Sequence, residues 1–339
     1  MNKNILIDPW CIVEEDFNAE NQLKAENDFC LGNGLITQGA NFEEYFSGKT
    51  KHGSYIDGIN NYNFDKTAKS KNSESKKEII NAPNWTGIIV RLNDTVLDLI
   101  TWEVLNFKRI LNMHDGCLER TFEAISSKGH HIQVSVKRFL SMAETEVGAI
   151  SYSVKSLNFE GRISFMPLID ADFGNVSGNN IEPIWNVLQT TTQQDVAHLW
   201  TQIRLTDFHV CSALTYVLYK NNEQLNLIPI KIEKEKTAGF SVGTDVKSGD
   251  TLCLNKYVAI LNSLNHPGKD LTERTYTLAR VARQKGWNKL FDEHTAVWTE
   301  KWINADIIID GDIETLQANR YKIFREILGF ESHKYKFNN

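Results

Sequence analysis

Apolar and polar residues alternate along most of the middle of the chain, from Trp85 to about Leu261. From Leu118 onward one set of alternate positions is largely apolar, and a second alternation begins at Ile132, after the dipeptide Lys128-Gly129. A period of two is the side-chain period of a β-strand, and two such runs across a glycine turn predict a hairpin. Further strands are predicted in the same way at residues 149–154, 163–169, 198–205, 209–219, 228–233 and 252–261. The series predicts a mainly β fold, a large antiparallel β-sandwich.

The pattern changes after residues 265–268, Asn-His-Pro-Gly, where apolar residues begin to recur at steps of three, four and seven. This spacing predicts an amphipathic helix with one wide apolar face. The members of that face are Trp287, Leu290, Phe291, His294, Trp298 and Trp302. A short strand is predicted at residues 307–309, and Asp312 is predicted to cap a second helix. A face so rich in aromatic rings needs a partner surface.

The corner "NAPNW" stands directly before the first clear strand. Pro83 biases the preceding Ala82 toward an extended backbone, so Trp85 is predicted to open that strand as a packing residue. Stacking of a sugar on Trp85 is the less favoured interpretation, since sugars bind to exposed aromatic planes. Residues 63–77 are nearly free of large apolar side chains and predict an exposed loop, and the residues after Gly329 predict a polar tail.

Composition and charge narrow the class of partner. The 339 residues are 41% hydrophobic and 24% charged, with a formal net charge of -6, which is ordinary for a globular protein. The chain has no block of Lys or Arg, so neither nucleic acid nor an anionic membrane is predicted as a partner. No signal peptide or spanning helix is predicted at the N-terminus, so we expect a cytoplasmic location.

No cofactor and no metal ion is predicted. The five cysteines are scattered, without a C-x-x-C pair, and predict buried free thiols. His130 and His131 are adjacent, and in a strand their side chains would point to opposite faces, so they do not share one ion without a third element. The glycines between Leu31 and Ile59 predict tight turns between strands, because neither a helix pattern nor a P-loop lysine follows Gly34.

Acidic pairs do not by themselves identify a catalytic site. Glu14 and Glu15 are neighbours in sequence, and so are Glu43 and Glu44. Glycosidase chemistry needs two carboxyl groups about 5 to 10 Å apart on opposite sides of the scissile bond. The sequence alone therefore identifies no catalytic pair of carboxyl groups.

A longer set of segments, taken in order, resembles a known family. The segments are "LGNGLITQGANFEE", "GSYIDGI", "NAPNWTGIIVRLND", "LDLITWEVLNFKRILNMHDGCLERTFE", "VKRFLSMAETEVGAISYSVKSLNFEGRISFMPLIDADFGN" and "WINADIIIDGDIETLQANRYKIF". Together they resemble glycoside hydrolase family 65, and "ANFEE", "SGKT" and "NAPNW" are most similar to its maltose phosphorylase type. The likeness extends from about Trp10 to about Phe324.

The resemblance implies a division of the chain. Residues 1–264 would form an N-terminal β-sandwich (super-sandwich) domain, residues 265–309 a helical linker, and residues 310–339 the first barrel helix with a polar tail. In the family the chemistry resides in an (α/α)6 barrel further on, which we expect to be missing from this chain. No catalytic residue is therefore transferred to this sequence.

The implied activity of the intact family is inverting phosphorolysis of maltose or a related α-glucoside, yielding β-glucose 1-phosphate and glucose. Inorganic phosphate is then a co-substrate and no other cofactor is implied. The expected partners are an α-glucosidic disaccharide, a catalytic barrel in the same or a separate chain, and a second copy in a homodimer. The chain alone is expected to be inactive. The alternative is a free-standing carbohydrate-binding or oligomerisation module.

The resemblance also gives the aromatic face of the linker a role. Trp287, Phe291, Trp298 and Trp302 would pack between sandwich and barrel in an intact family member. Without the barrel, part of that face is expected to be exposed and prone to self-association.

Overall fold

The computed structural model describes residues 5–57, 59, 80–172, 184–267, 270–307 and 311–329. The predicted loop at residues 63–77 and the predicted tail after Gly329 lie outside these residues. Most of the predicted strand at residues 307–309 also lies outside them.

The described residues form short and long strands followed by two helices near the C-terminal end. The strands are β1 (Ile5–Ile7), β2 (Cys11–Glu15), β3 (Leu31–Gly32), β4 (Ile36–Gln38), β5 (Ser54–Ile56), β6 (Ile88–Leu92), β7 (Thr95–Val96), β8 (Glu103–Asn112), β9 (Cys117–Ile125), β10 (His131–Leu140), β11 (Val147–Ser156), β12 (Gly161–Asp170), β13 (Trp185–Gln193), β14 (Val196–Ile203), β15 (His209–Lys220), β16 (Glu223–Leu225), β17 (Ile230–Lys234), β18 (Thr237–Val246) and β19 (Thr251–Asn262). The helices are α1 (Gln22–Asp28), α2 (Leu271–Ala305) and α3 (Ile313–Ile327).

Two antiparallel sheets make up the sandwich. The large sheet has the order β1-β2-β8-β9-β10-β11-β19-β15-β14-β13, with β16 paired to β15. The second sheet has the order β17-β18-β12-β6-β7, and a small third sheet contains β3, β4 and β5. The predicted mainly β, antiparallel architecture is confirmed.

The hairpin of β9 and β10 forms where the alternation predicts it. His131 is the register partner of Ile125, and Gly129 in the connection has a φ of 78°. Glycine adopts this left-handed backbone without the penalty that a Cβ brings, so the turn closes at the position predicted from Lys128-Gly129.

Strands at the centre of the large sheet are covered on both faces. β15 and β19 are buried at most positions, because the five-stranded sheet packs on one face and α2 packs on the other. A strand covered twice is predicted to be an unbroken apolar run, whereas a strand covered once alternates. β10 alternates over most of its length.

The two long helices begin at aspartate caps. Asp270 Oδ1 accepts a hydrogen bond from Glu273 N at the start of α2, and Asp312 Oδ1 accepts one from Thr315 N at the start of α3, 3.1 Å long. The predicted cap at Asp312 is confirmed. α2 is interrupted at Gly286, whose φ of 73° and ψ of 173° are not helical. The part of α2 that follows this break carries the predicted aromatic face.

All five cysteines are free thiols, and three of them are buried.

Candidate functional site

A set of buried charged groups lies where the segment of residues 38–44 crosses the large sheet. Arg109 on β8 is the register partner of Arg120 on β9. Arg120 in turn faces Val136 on β10, so Arg138, two residues further on, projects from the same face. All three arginines are buried. We call these three residues the arginine ladder.

Two adjacent glutamates neutralise part of the ladder. Arg120 Nη2 donates to Glu43 Oε2 at 2.7 Å and to Glu44 Oε2 at 2.6 Å, while its Nη1 donates to Glu44 Oε1. Arg138 Nη1 donates to Glu43 Oε1 at 2.6 Å. Tyr152 Oη donates to Glu44 Oε2 at 3.2 Å. Each carboxylate thus accepts several charge-assisted hydrogen bonds, the strongest class available to side chains.

The protonation states follow from this geometry. Burial alone would raise the pKa of the Glu43 carboxyl, but Arg138 and Arg120 outweigh burial and lower it. Burial, reinforced by the charge of Glu44, raises the pKa of Tyr152 well above its usual value. Glu43 therefore stays ionised and Tyr152 stays neutral, so neither is a proton donor matched to catalysis near pH 7.

The ladder also holds backbone and amide groups of the crossing segment. Arg138 donates to the carbonyl oxygens of Asn41 at 2.9 Å and Gly39 at 2.6 Å. The Asn41 side chain donates to Thr86 Oγ1 at 2.8 Å, which ties the segment to the corner before β6. The backbone of that corner is held by Lys256, whose Nζ donates to the carbonyl oxygens of Trp85, Gly87 and Leu168.

Arg109 ends the ladder in an apolar setting. Its Nη2 donates to Gln22 Oε1 at 2.7 Å, and its Nε lies 3.5 Å from Glu14 Oε2. The guanidinium also lies 5.1 to 5.5 Å from the ring centroids of Phe29, Phe42 and Phe107. Burial lowers the pKa of Arg109 to about 10, and Glu14 opposes that shift. Cation–π contacts stabilise a buried guanidinium that has few hydrogen-bond acceptors.

The network has the residue types of a phosphate or sugar site but not the access. The Glu43 and Glu44 side chains are 3% and 0% exposed, and Arg120 and Arg138 are 4% and 0% exposed. Their hydrogen bonds go to one another, to the Tyr152 hydroxyl and to the protein backbone. What this arrangement does is fix the segment of residues 38–44, with the corner at residues 84–87, on the large sheet.

The aromatic face of α2 packs on the outer side of the same sheet. The ring of Phe139 on β10 lies 5.3 Å from Trp287 and 5.4 Å from Phe291, centroid to centroid. Trp302 Nε1 donates to the carbonyl oxygen of Met113 at 2.9 Å. The Trp298 ring stacks 5.0 Å from Phe324 of α3.

Trp298 and His294 fit against the turn between β8 and β9. Gly116 there has a φ of 63°, and a Cβ added to it would lie 1.8 Å from Trp298 Nε1. His294 Nδ1 accepts from Met142 N at 3.1 Å, and its Nε2 donates to the carbonyl oxygen of Asp115 at 2.8 Å. Burial lowers the pKa of His294 to about 4. The neutral ring thus joins two hairpin turns of the sheet to the helix.

The aromatic face that was expected to be partly exposed is buried to different degrees along its length. Trp298 and Trp302 are 0% and 3% exposed, and Trp287 and Phe291 are half-buried. The sandwich and α3 already cover the face, so it presents no open patch at Trp298 or Trp302. Packing of Trp287, Phe291, Trp298 and Trp302 against a further domain stays a prediction.

Trp85 is also fully enclosed. It is 0% exposed, and a Cβ on Gly148 would lie 2.7 Å from its ring. Neither face of the indole is open to a sugar in this structure, so Trp85 is not available for sugar stacking.

Among the described residues no group of three or more His, Cys, Asp or Glu side chains is placed to hold a metal ion. No described helix combines the length and the apolarity needed to cross a membrane.

Comparisons with known proteins identify the family of this chain. Residues 12–301 match the sequence model of the glycosyl hydrolase family 65 N-terminal domain. The chain belongs to this family. It is 28% identical over 323 residues to a maltose phosphorylase of Bacillus subtilis, covering 94% of this chain and 42% of that protein. It is 27% identical over 335 residues to a kojibiose phosphorylase of Thermoanaerobacter brockii, covering 96% of this chain and 41% of that protein.

A solved structure shares the fold. A putative kojibiose phosphorylase from the human microbiome superposes with a TM-score of 0.83 at 22% identity, covering 96% of this chain and 42% of that one. The chain thus spans about two fifths of the length of each of these relatives. It resembles the N-terminal domain of family 65 phosphorylases.

Sequence reasoning missed the arginine ladder. Arg120 occupies the same alternating row as Leu118 and Phe122, so an arginine at an inward strand position was a usable signal. Glu43 and Glu44 lie outside the named strands, where no period predicts which way a side chain points.

Proposed function

We propose that this chain is the N-terminal structural domain of a disaccharide phosphorylase of family 65, and that it does not catalyse phosphorolysis alone. The proposed parent reaction is the inverting phosphorolysis of maltose or a related α-glucoside to β-glucose 1-phosphate and glucose. Support comes from relatives named maltose phosphorylase, kojibiose phosphorylase and α,α-trehalose phosphorylase, each of which this chain matches over about 42% of its length or slightly less.

The observation that carries the proposal is the closure of the charged network. Phosphorolysis needs a carboxylic acid beside the glycosidic oxygen and a cationic pocket for phosphate, both open to substrate. Glu43, Glu44, Arg120 and Arg138 have the required chemistry but are buried and paired with one another. Glu14 differs, since burial raises the pKa of its carboxyl, but its oxygen lies 3.5 Å from the same network at Arg109. These groups therefore suit a structural role.

The proposed location is the cytoplasm. All five cysteines are free thiols, which is the usual state in a reducing compartment.

The test is an assay of the purified chain with inorganic phosphate and, in separate reactions, maltose, kojibiose and trehalose. We expect no glucose 1-phosphate above that of a blank without protein. The positive control is the full-length maltose phosphorylase of Bacillus subtilis under the same conditions. Release of glucose 1-phosphate by the chain would overturn the proposed inactivity if a mock purification from cells that lack the chain releases none.

Calorimetry with the same sugars separates this role from the alternative. A sugar-binding module would release heat that saturates at millimolar sugar, whereas we expect none. Adding the C-terminal remainder of the Bacillus subtilis enzyme, expressed without its own N-terminal domain, tests the structural role directly. The expected result is complex formation by size-exclusion chromatography, and two independently folded proteins that never co-elute would count against the proposal.

A further inference from the structure

A lysine is buried between the two sheets of the sandwich. Lys256 on β19 is 0% exposed, and among the described residues it is the lysine whose side chain is fully buried. Its Nζ donates to the carbonyl oxygens of Trp85, Gly87 and Leu168 at 2.5, 3.0 and 2.7 Å. A charge is tolerated inside a protein only when it is paired or well hydrogen-bonded, so these three oxygens take the place of a carboxylate partner.

The three carbonyls converge where the regular pairing of β6 with β12 ends. The last register pair joins Ile88 to Pro167, so two of the carbonyls precede β6 and the third follows Pro167 on β12. A carbonyl oxygen that leaves a strand ladder in a buried setting needs another hydrogen-bond donor. Lys256 reaches from the large sheet and supplies donors to two segments of the second sheet at once.

The geometry requires the charged form of Lys256. Burial lowers the pKa of its ammonium group well below the usual value, and the charge of Glu43 opposes that shift. A neutral amine has two N–H groups and one lone pair, so it would turn the lone pair toward one of the three oxygens. An ammonium group has three N–H donors, one for each carbonyl. The three contacts therefore hold a cation and not a neutral amine.

The size and the chemistry of the three oxygens suit a monovalent cation. They lie 2.5 to 3.0 Å from Nζ, whereas Mg²⁺ binds oxygen at about 2.0–2.1 Å and Ca²⁺ at about 2.3–2.6 Å. All three are uncharged backbone carbonyls, the ligand type with which potassium channels replace the hydration shell of K⁺.

We propose that the carbonyl oxygens of Trp85, Gly87 and Leu168 form a binding site for a small monovalent cation, ammonium or potassium, and that the ammonium group of Lys256 is its tethered occupant. The occupied site joins β19 of the large sheet to the corner before β6 and to β12. Because the cation is covalently attached, the wild type needs none from solution. A chain without this side chain should depend on an added cation.

The test removes the lysine and offers the cation from solution. Lys256→Ala leaves the three oxygens without their donors and should lower the folding equilibrium constant more than about a hundredfold. Gly87 and Leu168 are partly exposed, so a small cation has a short distance to cross to the site. Ammonium chloride or potassium chloride should raise the constant again, about fourfold at 300 mM for a dissociation constant of about 100 mM. Propylammonium chloride should raise it further, because its chain also refills the space of the lost methylenes.

Urea denaturation measures each constant, with tetramethylammonium chloride holding the ionic strength fixed because that ion has no N–H donor. Lys256→Met keeps most of the side-chain packing but has no charge and leaves no room for a free cation. It should be destabilised without a selective gain from ammonium. Leu254→Ala is the matched control for an empty space, because Leu254 lies two residues away on the same face of β19 and is 0% exposed. It and the wild type should also show no selective gain.

A second measurement uses the wild type, so it does not depend on the folding of a variant. NMR of the full chain labelled with ¹⁵N at the lysine Nζ should show a nitrogen coupled to three protons that exchange with water more slowly than those of exposed lysines. A buried nitrogen coupled to two protons, or no slowly exchanging signal, would contradict the ammonium occupant. Equal effects of ammonium and tetramethylammonium on Lys256→Ala would contradict the cation site, and so would an equal selective gain in Leu254→Ala.

Discussion

Two regions of this molecule join segments that are far apart in sequence, and they do so by opposite means. The segment of residues 38–44 is held on one face of the large sheet by the arginine ladder. Helix α2 is held on the other face by aromatic rings and two neutral histidines, His294 and His198. Both contacts are buried, so they differ in the kind of substitution that destabilises each of them.

A buried ion pair is strongly destabilised when one of its two charged partners is removed. Its charges were taken out of water at a large cost, and each is tolerated only while its partner is present. A buried ring contact is instead governed by shape, so it is most sensitive to added volume. The two regions should therefore fail under different substitutions, and three measurements test that difference.

The largest effect is expected from Arg120→Met. Among the described residues, this change leaves the Tyr152 hydroxyl as the remaining hydrogen-bond donor to the Glu44 carboxylate, and it deprives Glu43 of one of its two arginines. Removing one partner of a buried pair costs about 3–5 kcal/mol of unfolding free energy, measured by urea denaturation. Lys236→Met, which removes one partner of the exposed pair with Asp172, should leave the urea midpoint close to that of the wild type, because solvent screens an exposed pair.

Adding Glu44→Gln to Arg120→Met sharpens the result. The double variant has no unpaired carboxylate at position 44, while the pair of Glu43 and Arg138 remains. It should be more stable than Arg120→Met alone. A double variant that is less stable would mean that packing around the guanidinium, and not the uncompensated charge, dominates.

The next effect concerns the ring contact and its sensitivity to volume. Gly116→Ala puts a Cβ where the Trp298 ring lies, at a φ of 63°. We expect a loss of about 2–4 kcal/mol of unfolding free energy, from the left-handed backbone together with the overpacking. Gly129→Ala is the matched control, because Gly129 has a φ of 78° and nothing within 4 Å of an added Cβ. It should lose only the backbone part, about 1 kcal/mol. Equal losses at the two glycines would show that Trp298 moves aside freely.

The sequence predicted the two regions unequally, for physical reasons. The period of two predicted most of the long strands, and the period of the aromatic residues predicted the second half of α2. The strands β3, β4 and β5 have only two or three residues, too few for a period to show. The segment of residues 39–44 lies in no named strand or helix, so nothing local predicts that Glu43 and Glu44 turn inward to the ladder. That contact depends on the register of β8, β9 and β10, which is a property of the whole sheet.

The partner surface of the aromatic face was the other expectation that sequence alone could not decide. The spacing of Trp298 and Trp302 predicted a covered face without saying what covers it. The structure covers it with the sandwich itself, through the turn at Gly116. Periodicity reports that a face is buried, whereas the identity of the neighbour depends on contacts between residues far apart in sequence.

The smallest expected effect is the change in unfolding free energy at each pH step, and it comes from the contact between α2 and the sheet. Burial lowers the pKa of His294 to about 4, and it lowers that of His198, which stacks on Tyr276 of α2, to about 4 as well. The charged groups acting on these rings are Asp115 and Lys137 for His294, and Asp270 for His198.

A histidine whose pKa is lower in the folded chain than the usual 6.5 binds its proton first in the unfolded state. Its contribution to stability is complete above pH 6.5 and is lost as the pH falls toward about 4. Each of the two rings should therefore remove up to about 1.4 kcal/mol per pH unit within that window, with the steepest loss near pH 5.

The measurement is the free energy of unfolding at steps between pH 6.5 and 5, for the wild type and for His294→Gln. Glutamine keeps a donor for the Asp115 carbonyl but does not titrate, so the slope should fall by up to about 1.4 kcal/mol per pH unit, whatever the variant loses in stability at pH 7. If His294→Gln kept the full slope, the ring would take up its proton as readily in the folded chain as in the unfolded one. The hydrogen bond from Met142 N to Nδ1 would then be wrong, because a protonated Nδ1 has no lone pair to accept it.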